Sequence, residues 1–211
     1  MNRPPLTSLP TLLLALAGGP LVAQGAPSPA QPSLRQELIR RYAVDQQGRD
    51  SIAIALNAGD TAFVIRLMAR DSASTRWLKG VVAQYGWPGR SLVGDSAANA
   101  AFLILQHSPD NAWQGEMLPI LWQLAGRGEI KKGDVAMLED RVRVHSGRPQ
   151  RYGMSFSLRD GCLVADPIED PEHLAERRRE AGLPTMEEYV KVLAEVYKTN
   201  VVVKGDCRDR F

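Results

Sequence analysis

The chain has 211 residues, 44% hydrophobic and 24% charged, a balance that suits a globular protein and excludes a disordered chain or a long coiled coil. Its 26 Lys and Arg against 24 Asp and Glu leave a formal charge of +2. So small a field holds neither nucleic acid nor an anionic membrane surface, so no nucleic-acid partner is expected.

Arg3, an apolar run from Leu12 to Val22 and the small residues Ala23 and Gly25 follow one another as in a secretory signal peptide ending at residue 25. Gly18, Gly19 and Pro20 interrupt the run, which is shorter than the roughly 20 residues a bilayer-spanning helix needs. The expectation is export to a periplasm or the exterior, without a permanent membrane anchor. Residues 26–33 carry Pro27, Pro29 and Pro32 among small side chains and read as an extended tether. A single mainly helical domain is expected over residues 34–211.

Ser33 with Gln36 forms a capping-box pattern, and Leu34, Leu38 and Tyr42 follow at helical spacing, which predicts a helix to about Gln47. A second helix is predicted from Ser51 to Ala58, a third from an Asp60 cap to Arg70, and a fourth from Ser74 to Tyr85, stopped at Gly86. Gly86, Trp87, Pro88 and Gly89 must turn. Asp95 or Ser96 then caps an alanine-rich helix to His107, apolar almost all round and therefore central. Ser108, Pro109 and Asp110 turn into a helix through Trp113, Met117, Leu121 and Leu124, bent at Pro119; another opens at Gly133 and Asp134 and ends near His145.

From Gln150 the pattern changes: Tyr152, Met154, Phe156 and Leu158 alternate with other residues, and Asp160 and Gly161 precede Cys162, Leu163 and Val164 as in a hairpin. Asp170 and Pro171 start a helix to Ala181, and Thr185 with Glu188 boxes a last one. The fold class is mainly α, an irregular multi-helix domain with one small β-hairpin after the central helices. In an oxidising compartment Cys162 and Cys207 pair as a disulfide, unless one is a buried and the other an exposed thiol.

Charges recur on apolar faces. Leu38, Tyr42, Asp45 and Arg49 share one side of the first helix if it reaches that far; Met137, Asp140, Arg141 and Val144 share a face opposite Val135, Leu138 and Val142; Leu174, Arg178 and Ala181 line up likewise. Charges on buried faces must be paired or solvated. Asp45, Arg49, Asp140, Arg141 and Arg178 are therefore expected to converge, with Gln150 at the mouth. One reading is an internal ion-pair network; the other is a polar cleft whose arginines hold a small-molecule or peptide-like anion. His107 closes the central helix and could serve as a general acid or base beside Asp140. His107, His145 and His173 form no short metal-binding pair and no Cys stands at zinc spacing, so neither a metal nor a cofactor is expected. Phosphate-loop and nucleophile-elbow patterns are missing from the sequence.

The ordered set Asp45, Gln46, Arg49; Gly86, Trp87, Pro88; Gln106, His107; Asp140, Arg141; and Gly147, Gln150, Tyr152, Gly153 resembles an uncharacterised bacterial family, domain of unknown function 6624, over roughly Leu34 to Tyr189. That resemblance implies no known activity, substrate or cofactor. It singles out Asp45, Arg49, His107, Asp140, Arg141 and Gln150, with Tyr152 beside them. Met154 and Ser155 stand where the family often has Thr and Gln, and Tyr85 where a His is frequent. Three functions stay open: a binder of an anionic ligand in a polar cleft, a hydrolase using His107 and Asp140, and a structural or interaction module of the cell envelope whose protein partner is unknown.

Overall fold

The computed structural model describes residues 30–51, 55, 58–205 and 207. The signal-peptide segment and the tether up to Pro29 lie outside the described residues, as does most of the helix expected over Ser51 to Ala58, of which Ala55 alone is described, as helical.

Helix α1 spans Pro32–Gln46, with Gln31 at its N-cap position and no side-chain cap. The Ser33 capping box does not form. Pro32 has φ pre-set for a helix and no N–H to satisfy, so the helix starts ahead of Ser33. The Gln31 N–H instead donates to the Leu92 carbonyl at 2.9 Å, anchoring the start of the domain. The helix stops before Arg49: Gly48, at φ +79°, redirects the chain into a 3-10 turn over Arg49–Ser51.

Helix α2 runs unbroken over Thr61–Tyr85, where two helices were expected. Asp60 caps it by accepting from the Phe63 N–H, and Gly86 ends it at φ +74°. The Ser and Thr residues that suggested a break are absorbed within it. Ser72 Oγ donates to the Met68 carbonyl and Thr75 Oγ1 to that of Asp71, each one turn back, while Ser74 is buried. A short α3 (Arg90–Val93) leads into α4 (Asp95–Gln106). Gly94, not Asp95 or Ser96, holds the N-cap position of α4, and Asp95 pairs with Arg90.

Helix α4 is the axis of the molecule. Ala97, Ala100 and Ala101 on it are buried and carry so little side chain that α1, α2 and α3 all lie against it. Leu38, Leu78 and Leu105 fill the core between them, each fully enclosed and contributing about 1.5–3 kcal/mol by burial. Asp110 caps α5 (Asn111–Gly126) by accepting from the Trp113 N–H, and Pro119 lies within that helix. Helix α5 packs on α6 (Lys132–His145), whose Val135, Leu138 and Val142 complete the core.

The hairpin pairs β1 (Phe156–Arg159) antiparallel to β2 (Cys162–Ala165), turning at Asp160 and Gly161, both at positive φ as a tight two-residue turn requires. A third strand, β3 (Val201–Val202), adds parallel to β2 and was not foreseen; two residues carry no readable alternation. A Cys162–Cys207 disulfide, with Cα atoms 5.9 Å apart, fastens the chain end to β2. A 3-10 turn (Pro171–His173) precedes α7 (Leu174–Glu180), and α8 (Met186–Tyr197) begins at the capping box of Thr185 and Glu188. Among the described residues no helix is long and apolar enough to cross a membrane.

Candidate functional site

Gly48 turns the chain so that Arg49 returns against the end of α1, one turn on from Asp45. Arg49 donates through Nε and Nη2 to the two oxygens of Asp45, at 3.2 and 2.5 Å. On its other edge Nη2 and Nη1 donate to Asp71, at 2.7 and 3.4 Å. One guanidinium is thus clamped between two carboxylates, the bidentate geometry Arg is suited to. His107, immediately after α4, brings Nδ1 to 2.8 Å from Asp45 Oδ2, and Gln46 Nε2 donates to the same oxygen at 2.8 Å. Arg70 closes the loop by donating to the carbonyls of Asp45 and Gln47.

Asp45 is 1% exposed, whereas the side chains of Arg49 and His107 keep 18% and 20% of their surface in solvent. Burial pushes the Asp45 carboxyl up. The hydrogen bonds and charges of His107 and Arg49 more than offset this and hold it down at about 2. Burial also opposes the charge on Arg49, but its two carboxylate partners keep its pKa above the ordinary value. Because Nδ1 of His107 is held by a carboxylate, Nε2 is the ring nitrogen left to meet a ligand, as a general acid or base requires.

Asp71 was missed by the sequence reading, although Leu67, Asp71, Ser74, Leu78 and Val81 fall on one buried face of α2. Dividing α2 between Arg70 and Ser74 hid that spacing.

Arg141 stands on α6 near this cluster. Met137, one turn earlier on the same helix, accepts from Gln106 Nε2, which places the end of α4 beside this face. Arg141 Nε is buried without a hydrogen-bond partner, and Arg141 forms no ion pair among the described residues. Its pKa is lowered by burial first and by the positive charge of Arg49 second. His145, one turn further on, is lowered by burial and by Arg141 in turn.

Asp140, the preceding residue, points elsewhere. Fully buried, it accepts from the N–H groups of Arg151 at 2.6 Å, Tyr152 at 3.0 Å and Met154 at 2.9 Å. Burial nonetheless raises its pKa against those bonds. Gln150, also fully buried, donates to the carbonyls of Ser155 and Asp166 and accepts from the Ser155 N–H. Arg178 donates to the carbonyls of Pro184 at 2.8 Å and Tyr152 at 2.5 Å, with Tyr189 under its face. Tyr152 is buried and packs beside Trp122. These groups fold the 150–155 segment around themselves.

The expected convergence is therefore corrected. Consecutive residues on a helix point about 100° apart, so Asp140 and Arg141 serve different clusters. Asp45, Arg49 and His107 meet, joined by Asp71 and bordered by Arg141; Asp140, Gln150 and Arg178 form a second group that binds backbone, including the N–H and carbonyl of Tyr152. Gln150 is an internal strut, not a residue at a cleft mouth. His107 is oriented by Asp45, not Asp140, whose carboxylate is occupied by backbone N–H groups. Among the described residues no group of three or more His, Cys, Asp or Glu is disposed to hold a metal ion.

No curated protein and no solved structure matches the chain. A family does: residues 32–202, which take in both clusters and the whole helical core, match the family of unknown function DUF6624, and the chain belongs to it.

Proposed function

We propose that the protein is an exported domain that binds a small anionic ligand at Arg141, beside His107 and the Asp45–Arg49–Asp71 clamp. The observation that carries this reading is the uncommitted guanidinium of Arg141. Arg49 directs its donors to carboxylates and Arg178 its Nε and Nη1 to carbonyls, whereas the Arg141 side chain makes no hydrogen bond or ion pair among the described residues and feels the charge of Arg49. Two neighbouring guanidiniums in part-buried surroundings favour an anion between or beside them. Export rests on the N-terminal Arg3, apolar run and small-residue order, and agrees with the disulfide.

Isothermal titration with inorganic phosphate, citrate and a glutamate-containing cell-wall peptide tests the reading. At least one anion is expected to bind, and Arg141→Ala to abolish that binding while costing about 1 kcal/mol or less of stability, since no ion pair is broken. Failure of every anion, or binding unchanged in Arg141→Ala, overturns it.

A second reading, hydrolysis with His107 as acid or base, is favoured by the 2.8 Å contact that orients its ring on Asp45. His107→Gln is then expected to remove turnover of a p-nitrophenyl ester or phosphate without removing phosphate binding.

A further inference from the structure

Beside α7 lies a hollow of about 680 Å³ with Leu174, Leu183, Pro184 and Met186 among its walls and Arg178 among its lining residues. Arg178 is 1% exposed. Its hydrogen bonds run to the carbonyls of Tyr152, Gly153 and Pro184 and to the Met154 sulfur, none of them an anion. Its Nη2 is buried with no partner at all. Asp140 attracts it from a distance, but that carboxylate is already engaged by backbone N–H groups. A buried cation flanked by carbonyls, with one donor nitrogen unused, is an incomplete ion site.

Met186 also lines the hollow. A Cβ added at Gly153 would stand 2.2 Å from Met186 Cε and 3.7 Å from Arg178 Nη1, so the absence of a side chain at Gly153 lets the methionine tip rest beside the guanidinium. An unbranched thioether swings aside at little cost, unlike a branched wall residue. Two exposed acids line the hollow: Glu188 is hydrogen-bonded to Thr185 in the capping box, and Glu172 faces solvent.

We propose that this hollow is a second ligand site, separate from Arg141, that takes an apolar acid with its carboxylate on Arg178 Nη2 and its chain along Leu174, Leu183 and Pro184. A monoanion suits the place better than a phosphate dianion, because a single unused nitrogen among apolar walls compensates little charge. The ligand displaces the Met186 tip as it enters.

Octanoate, below the concentration at which it forms micelles, is the probe, with octylamine as the control of opposite charge. Protein labelled with ¹³C at the methionine methyls reports the site by NMR, the Met186 signal being assigned with Met186→Leu. Octanoate is expected to bind saturably, to shift the Met186 methyl and to bind at least about tenfold more tightly than octylamine, the least that a charge-assisted bond to a buried arginine contributes. Ala175→Trp, at an exposed position that lines the hollow, should fill it and remove the binding without disturbing Arg178. No saturable octanoate binding, equal affinity for octylamine, a silent Met186 methyl, or binding that survives Ala175→Trp each overturns the proposal. Arg141→Ala leaves octanoate binding unchanged, so failure here is distinct from failure at the Arg141 site.

Discussion

Asp45 joins more of the first cluster than any other side chain: it receives Arg49, His107 and Gln46 while sealed from water. Its pKa of about 2 lies below the ordinary 3.8, so the folded protein binds the proton less readily than the unfolded chain. The sign is that of a depressed carboxyl. Its contribution is fully present above about pH 4 and is lost as pH falls toward 2, amounting to about 2 kcal/mol. Urea denaturation at several pH values should therefore show Asp45→Asn and the parent converging by about that amount between pH 5 and pH 2; a gap that stays constant removes the argument. Asp140 has the opposite sign, its pKa being raised by burial. Its ionisation weighs against the fold as pH rises through the folded value, so the two aspartates must not be averaged into one acid limb.

The elements that meet at the sites are helices with ends defined by local chemistry. Asp60, Asp110 and Thr185 each accept from a backbone N–H in the first turn of their helices, and these starts were legible because a short polar side chain before an apolar period has a physical role there. The α1 start was misread because Pro32 outweighed Ser33, and α2 was divided because Ser and Thr within a helix can bond one turn back as readily as cap. At the other end of the chain, β3 is too short to hold by itself; the disulfide closes 45 positions and brings the chain end back to β2. In the chain-entropy account such a loop contributes about 4 kcal/mol. Reduction, or Cys207→Ser, should lower stability by up to that amount and speed hydrogen exchange first at Val201 and Val202, while amides of α4 keep their protection. Unchanged exchange at those two strand residues would show that the bridge does not hold the strand.

Across the whole molecule, α6 divides the polar groups into two units that share no hydrogen-bond partner: Asp45, Arg49, Asp71 and His107 on one side, Asp140, Gln150 and Arg178 on the other. Independent units add. Asp71→Asn combined with Asp140→Asn is expected to lose the sum of the single losses within about 0.5 kcal/mol, whereas Asp71→Asn with Asp45→Asn should depart from additivity because both carboxylates hold Arg49. Strong coupling of the first pair would mean that the two clusters are one network after all.

What the sequence determined by itself is the periodic and the local. The central alanine-rich helix, the hairpin turn at Asp160 and Gly161, the C-terminal capping box, the inward face of Arg178 and the cysteine pair each follow from the spacing, conformational preference or chemistry of a few residues close in the chain or alike in kind. Spacing also showed that Asp45 and Asp140 face inward. Arg49, four residues on from Asp45, was within reach of that spacing, but only the tertiary structure decided the distant partners: an inward carboxylate needs some compensating donor, and an imidazole from the end of another helix and three backbone N–H groups from a following loop are equally good answers. Which donor arrives depends on how α1 meets the end of α4, and α6 the 150–155 segment, in space. Side-chain periodicity reports the direction a residue points along its own helix and carries no information about the element that meets it.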